Sequence, residues 1–141
     1  EVKMVLQLAH VCLKVSSLEN TIDFYHKKLG LPIKFTFEKE GKLYGVYFQV
    51  GNNSFIEAFQ EKNPDFKVIN TGITHFCLQT GNIDKFILEM KSKGIECTSK
   101  KLGCDQSWQT WLKDPDGNSF EIHEYTPQSA QYNGGVVQAN F

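Results

Sequence analysis

The sequence predicts an α+β fold built from two tandem βαβββ modules, because three different features each occur twice at nearly the same spacing. The repeated features are a histidine inside a predicted strand, a glycine that ends a predicted helix and a glutamate in a later strand: His10 and His75, Gly30 and Gly94, Glu57 and Glu121. The two histidines are 65 residues apart, and the glycines and glutamates are each 64 apart. A shared period for unrelated features indicates an internal repeat.

Module one covers about residues 5–62. It begins with residues 7–15, where polar and apolar residues alternate as in a half-buried strand. A helix follows, with Ser16 as a candidate N-cap and Glu19 as its capping-box partner. Gly30 stops this helix. Three strands are then expected at 33–39, 43–50 and 54–60.

Module two covers about residues 70–126 and repeats this order. Residues 72–80 form the first predicted strand, and Asn82 is a candidate cap for a helix that ends at Gly94. Three strands are expected near 95–100, 107–113 and 118–125, with Asp114-Pro115-Asp116-Gly117 as the turn between the last two. Residues 127–141 are polar and are expected to form a tail. We therefore predict one domain over residues 1–141.

Composition excludes several classes of function. A net charge of −1 over 141 residues predicts neither a nucleic-acid nor a membrane-surface partner. The sequence contains no run of about 18 apolar residues, which is the length needed to span a bilayer. The four cysteines show no Cys-x-x-Cys spacing. Because no secretory leader is recognised in the sequence, we expect a cytoplasmic protein with reduced thiols. All 15 basic residues are lysines, so lysine, backbone N–H or metal must meet any anionic substrate group.

The repeated histidines and glutamates predict a metal site. Strand alternation directs His10, Cys12 and Lys14 away from the face that the helix covers. The same alternation applies to His75, Cys77 and Gln79. A buried carboxylate is costly unless it is paired or coordinated, which favours a ligand role for the glutamates. We predict one divalent ion (Zn, Ni, Co, Mn or Fe(II)) with four ligands: His10, Glu57, His75 and Glu121.

Each of these residues also has a simpler interpretation. A single strand histidine is more often a core or surface residue, and only the repetition favours metal binding. Small buried hydrophobic residues are the favoured interpretation of Cys12 and Cys77. His123 is either a base beside the metal ligands or a histidine without a role. We predict substrate contacts from Lys14, Gln79 and His123.

The chain resembles the vicinal oxygen chelate superfamily, which includes glyoxalase I, bleomycin-resistance proteins, fosfomycin-resistance proteins and extradiol dioxygenases. The resemblance covers roughly residues 6–125, and its most specific phrase is Asp-Pro-Asp-Gly-Asn-Ser-Phe-Glu at 114–121. The other matching phrases are Leu-Ala-His-Val at 8–11, Leu-Glu-Asn-Thr-Ile-Asp-Phe-Tyr at 18–25, Leu-Gly-Leu at 29–31, Phe-Ile-Glu at 55–57 and the histidine at 75. The resemblance implies a U-shaped mixed sheet around a metal cleft, and a homodimer.

The four ligand positions of bacterial glyoxalase I map onto the predicted ligands one by one. Two other positions depart from that pattern. Glyoxalase I has an arginine for glutathione four residues beyond its first histidine, where this chain has Lys14. It has an asparagine four residues beyond its first glutamate, where this chain has Glu61, a poor partner for the carboxylates of glutathione.

The resemblance predicts a metal-dependent lyase or isomerase of the glyoxalase I-like type. It would act on a small hydroxy-carbonyl substrate through a metal-stabilised enediolate, with Glu121 as the base and Glu57 as the symmetric alternative. Two alternatives remain. An Fe(II) extradiol ring-cleaving dioxygenase needs two histidines and one carboxylate. A metal-free drug-binding or resistance protein usually lacks the ligands.

Overall fold

The computed structural model describes residues 7–63, 65, 67, 75–134 and 136–139. The chain divides into two compact units, Glu1–Val68 and Ile69–Phe141, which correspond to the two predicted modules. Each unit contains one four-stranded mixed sheet with a helix between its first and second strands. The predicted α+β fold of two βαβββ modules is therefore confirmed.

Module one has four strands and one helical region. The strands are β1 (His10–Val15), β2 (Ile33–Lys39), β3 (Lys42–Val50) and β4 (Ser54–Gln60). Helix α1 (Leu18–Ile22) continues directly into a π-helical segment, Asp23–Lys28. The strand order is β1-β4-β3-β2, with β1 parallel to β4 and the other pairs antiparallel. The positions predicted from the sequence for β2, β3 and β4 agree with the observed strands to within one residue.

The helical region begins one residue later than the predicted capping box. Ser17, not Ser16, is the N-cap, and its side chain accepts a hydrogen bond of 3.2 Å from the backbone N–H of Asn20. Ser17 is the last residue with an extended backbone, which is the conformation that an N-cap requires. The helical region ends before Gly30, whose φ of +81° suits glycine as predicted.

The core of module one lies between the helical region and one face of the sheet. Leu18, Phe24 and Tyr25 of the helical region are buried, as are Phe48 and Ile56 of the sheet. In β1 the side chains alternate: Val15 is fully buried, whereas His10, Cys12 and Lys14 are exposed. The predicted direction of the strand histidine, away from the helix, is therefore confirmed for this module.

Module two repeats the order. Its strands are β5 (Phe76–Gln79), β6 (Lys101–Leu102), β7 (Trp108–Lys113) and β8 (Ser119–Glu124), in the order β5-β8-β7-β6. Helix α2 (Ile83–Ser92) is capped by Asn82, whose side chain accepts a 3.0 Å hydrogen bond from the backbone N–H of Lys85. The cap and the stop at Gly94, with φ of +75°, agree with the prediction.

The strand predicted at 95–100 is wrong, because β6 contains only Lys101 and Leu102. Thr98 explains the difference. Its backbone N–H donates to the carbonyl of Trp111, but the N–H of Trp111 donates to the side-chain hydroxyl of Thr98. The hydroxyl therefore replaces the backbone carbonyl that a strand ladder would use.

The segment predicted as a tail contains a short helix, α3 (Ala130–Asn133). It is bound to the turn before β7. The N–H of Ala130 donates to the carbonyl of Asp105, and the buried hydroxyls of Ser107 and Ser129 are 2.8 Å apart. Because these contacts are polar, the spacing of apolar residues in the sequence did not predict them. In the described part of the chain, no helix combines the length and apolar character needed to cross a membrane.

Candidate metal centre

In module one, the parallel pairing of β1 with β4 brings His10 beside Glu57. Cys12 is the register partner of Glu57, and His10 is two residues earlier on the same face of β1. His10 Nε2 lies 3.3 Å from Glu57 Oε1. The Glu57 side chain is only 14% exposed, so this carboxylate is partly desolvated, as predicted for a ligand.

Tyr47 is a residue of this centre that the sequence analysis missed. It is the register partner of Glu57 on β3, and its hydroxyl lies 3.2 Å from His10 Nδ1. Desolvation and the nearby Glu57 carboxylate raise the pKa of Tyr47, so the hydroxyl keeps its proton at neutral pH. A partner on Nδ1 orients the imidazole so that Nε2 faces Glu57. No repeated feature marked Tyr47, because module two has a tryptophan at the equivalent position.

In module two, His75 directly precedes β5 and lies beside Glu121 of β8, which gives the same arrangement. His75 Nε2 lies 3.5 Å from Glu121 Oε1, and the Glu121 side chain is 13% exposed. Trp111 is the register partner of Glu121 on β7, and its ring packs edge-on against the His75 ring with centroids 4.6 Å apart. Trp111 therefore contacts His75 at the position where the ring and hydroxyl of Tyr47 contact His10 in module one.

Glu121 also has a second imidazole neighbour. His123 Nε2 lies 3.2 Å from Glu121 Oε2. The His123 residue is only 8% exposed, and among the described residues its Nε2 makes no hydrogen bond. Donor atoms of Cys77, Glu121 and His123 all lie within 4.8 Å of one another.

The preferred interpretation of Cys12 and Cys77 as buried hydrophobic residues is wrong, since both are exposed. Each is the register partner of a glutamate, on the sheet face that the helix leaves uncovered. Desolvation and Glu57 raise the pKa of Cys12 to about 11. Desolvation and Glu121 raise the pKa of Cys77 to about 12, so both are neutral thiols at pH 7.

Of the predicted substrate-binding residues, Lys14 is paired within its own module. Lys14 Nζ lies 3.0 Å from Glu61 Oε2, and the hydrogen bond from Lys14 lowers the pKa of Glu61. The two departures from the glyoxalase I pattern therefore form an ion pair with each other. Gln79 is exposed at the end of β5, where it is the register partner of His123.

The histidine and glutamate atoms in each module are spaced as ligands of one ion would be. Two ligand atoms each about 2.1 Å from a tetrahedral ion are about 3.4 Å apart. The three imidazole–carboxylate distances are 3.3, 3.5 and 3.2 Å. The buried Nε2 of His123 without a hydrogen bond also fits a cation, and the mixed N/O donors suit a divalent transition metal. The meeting of both pairs at one ion stays a prediction.

Comparison with known sequences places the chain in a family. Residues 7–122 match the family model of the Glyoxalase/Bleomycin resistance protein/Dioxygenase superfamily. The lactoylglutathione lyase of Escherichia coli O157:H7 is 28% identical over 84% of this chain and 93% of that protein. Glyoxalase I of Saccharomyces cerevisiae is 24% identical over 96% of this chain. The chain spans about half the length of the yeast protein and 44% of the Arabidopsis thaliana lactoylglutathione lyase GLX1.

Solved structures share the fold. A putative glyoxalase family protein from Bacillus anthracis aligns with a TM-score of 0.73 at 23% identity, covering 89% of this chain and all of that one. TnmS3, an antibiotic binding protein from Streptomyces sp. CB03234, aligns with a TM-score of 0.71 at 16% identity over the same shares. With a family match over most of its length and the same two-module fold, this chain belongs to the Glyoxalase/Bleomycin resistance protein/Dioxygenase superfamily.

Proposed function

We propose that the protein is a metal-dependent lyase or isomerase that acts on a small hydroxy-carbonyl substrate through an enediolate. One observation carries this proposal: each module pairs a strand histidine with a partly buried glutamate, at 3.3 Å and 3.5 Å. Relatives named glyoxalase I and lactoylglutathione lyase support the reaction class. His10, Glu57, His75 and Glu121 would hold the ion.

The bound ion would stabilise negative charge that develops on the substrate oxygens. The protein's part in the reaction is to move the proton. Glu121 is the proposed base, because an imidazole lies within 3.5 Å of each of its carboxylate oxygens. These neighbours hold the carboxylate in place while it takes a proton from the carbon next to the carbonyl. Glu57, with His10 and Tyr47 beside it, is the symmetric alternative.

Aromatic rings cluster around Tyr47, the register partner of Glu57 in the module-one sheet. Tyr47 stacks on Phe35 with centroids 4.3 Å apart, and Phe55 and Phe37 lie at its edges. Phe35 is 45% exposed although it is a large apolar residue. Such a surface suits a substrate that carries an apolar or aromatic group next to its hydroxy-carbonyl end.

Module two offers a place for an anionic group of the substrate. A cavity of about 410 Å³ is lined by Thr98, Ser99, Lys101, Gln109 and Trp111. Trp111 also contacts His75, so the cavity adjoins the proposed metal ligands. Lys101 is the basic residue among those that line the cavity, so its ammonium group is the cation that would meet an anionic group there. Lys14, in contrast, already pairs with Glu61.

A ring-cleaving dioxygenase is the second candidate. Its Fe(II) site takes two histidines and one carboxylate, and His75 and His123 flank the single carboxylate of Glu121. Oxygen uptake by the Fe(II)-loaded protein with a catechol would separate this activity from the lyase, which consumes no oxygen.

The test begins with metal analysis of the purified protein, followed by loading with Zn, Ni, Co, Mn or Fe(II). Turnover is then screened with methylglyoxal plus glutathione and, in parallel, with aryl-substituted 2-hydroxy-carbonyl compounds without glutathione. We expect metal-dependent turnover in one of these sets. A protein that binds no metal and still binds the compounds without converting them would be a binding protein, and the proposal would be wrong.

A further inference from the structure

We infer that module two contains a separate cation site, formed by Cys77, Glu121 and His123, that holds a borderline-soft divalent ion such as Zn²⁺ without any ligand from module one. The site shares Glu121 with the proposed catalytic centre but uses two other donors. It is therefore independent of whether the four predicted ligands meet at one ion.

The strand register brings the three donors together. Cys77 on β5 is the partner of Glu121 on β8, and His123 is two residues further along β8. Their donor atoms lie within 4.8 Å of one another. Because strands β5 and β8 are hydrogen-bonded neighbours within one unit, small side-chain rotations suffice to close the three donors around an ion.

His123 supplies the observation that points to a ligand. The residue is 8% exposed, and its Nε2 lies 3.2 Å from Glu121 Oε2 without forming a hydrogen bond. A buried ring nitrogen without a hydrogen bond is destabilising. An ion between the two atoms would satisfy both, since their distance matches that expected for two ligands of one Zn²⁺, about 3.4 Å.

The Glu121 carboxylate serves the two sites with different oxygens. Oε1 faces His75 of the proposed catalytic set, at 3.5 Å, and Oε2 faces His123. A sulfur, a nitrogen and an oxygen ligand suit Zn²⁺, with water as the fourth ligand. On binding, the Cys77 thiol releases its proton to solvent, as thiol ligands do.

Module one provides an internal control. Cys12 and Glu57 are register partners there, as Cys77 and Glu121 are in module two. The position equivalent to His123 is Phe59, which cannot bind a metal. Thiolate ligation is therefore expected of Cys77 and not of Cys12, although both cysteines are exposed beside a glutamate.

The test is a Co²⁺ titration of the full chain, monitored by the near-ultraviolet thiolate-to-cobalt charge-transfer absorption. This absorption reports sulfur ligation and is independent of turnover. We expect it in the parent protein, in Cys12→Ser and in His10→Ala, and we expect Zn²⁺ to abolish it. Cys77→Ser should remove it, and His123→Gln should weaken Co²⁺ binding at least about 10-fold.

Circular dichroism of each variant checks the fold, and Cys77→Ala repeats the thiol removal if the serine variant does not fold. Absorption that persists in Cys77→Ser, or that requires His10, would overturn the inference. So would a parent protein without the absorption, even if it turned over substrate, and the proposed function would then still stand. Absorption in a metal-loaded protein without any turnover would instead count against the proposed function alone.

Discussion

Glu121 and Glu57 occupy equivalent positions in the two modules but have different neighbours. Glu121 has an imidazole near each carboxylate oxygen, from His75 and His123. Glu57 has one imidazole, from His10, and the hydroxyl of Tyr47. The repeat is therefore not symmetric at these two residues, and from this difference we propose Glu121 as the base and Glu57 as the symmetric alternative.

Replacing Glu121 by Gln tests its role as the base. Glutamine keeps the shape and one oxygen ligand but cannot take a proton at neutral pH. We expect the fold and much of the metal to be retained, and turnover per bound metal to fall about 100-fold or more. Glu57→Gln is the matched control in the other module. Turnover per metal near the parent value in Glu121→Gln would move the base to Glu57 or His123.

Replacing His75 by Ala tests the predicted ligand set. Loading with Mn²⁺ restricts the measurement to that set, because this ion disfavours thiolate ligands such as Cys77. We expect Mn²⁺ to be lost from His75→Ala, measured by elemental analysis. His26→Ala is the control, since His26 is exposed and contacts the Leu31 carbonyl instead. Full Mn²⁺ content in His75→Ala would contradict the assignment.

The close contact between β3 and β4 depends on Gly45. Gly45 is the register partner of Phe59. A Cβ at position 45 would lie 2.5 Å from two carbons of the Phe59 ring and 3.0 Å from the Ala58 carbonyl oxygen. The absent side chain therefore lets the Phe59 ring lie across the strand, where it contacts Phe37 and Tyr44.

We accordingly expect Gly45→Ala to lower the free energy of unfolding by about 1–3 kcal/mol, as overpacking typically does. Urea denaturation measures this change. Gly81→Ala is the matched control, because nothing lies within 4 Å of a Cβ built there, and it should change stability by less than about 0.5 kcal/mol. Gly45→Ala must be less stable than the parent if the contact with Phe59 is the cause. The loss of unfolding free energy caused by Gly45→Ala must also be smaller when Phe59 is replaced by Ala as well.

The attachment of α3 depends on a charged residue, Asp105. Burial opposes its ionisation, but hydrogen bonds from the Gln131 side chain and the Ser107 N–H outweigh this and lower the pKa of Asp105. A carboxyl whose pKa is lowered by folding stabilises the fold above its unfolded pKa of about 3.9. That stabilisation is lost as the pH falls through the folded pKa.

Asp105→Asn should therefore destabilise the protein at pH 6–7, and the difference from the parent should shrink as the pH falls below about 4. Urea denaturation of both proteins across this range measures the difference. Gln131→Ala, which removes one hydrogen-bond donor to the carboxylate, should reproduce part of the effect. A difference that is constant with pH would show that the ionised form of Asp105 contributes nothing.

We predict that the protein forms a homodimer. The family resemblance implies it, and the chain spans about half the length of the yeast relative, so two copies would match that length. Exposed apolar residues such as Leu43 and Leu88 supply surface for an interface. Light scattering should give twice the chain mass of 16.1 kDa at micromolar concentration. A monomer throughout a dilution series from that range would contradict the prediction.

The repeat, most strand positions, the glycines that end both helical regions and the histidine and glutamate candidates of each module could be predicted from the sequence. These features follow from local rules. Side chains alternate along a strand, glycine ends helices, and Asn82 caps α2 through its own side chain. Such rules depend on residues close together in the chain, so they are visible without the fold.

Which side chains share a site depends on the tertiary fold and could not be predicted from the sequence. The parallel register of β5 with β8 placed Cys77 beside Glu121, and no local pattern specifies a register. The same holds for the pairing of Lys14 with Glu61, the contact of Tyr47 with His10 and the burial of His123. These contacts join strands that are distant in sequence, and packing of the whole module sets the alignment of those strands.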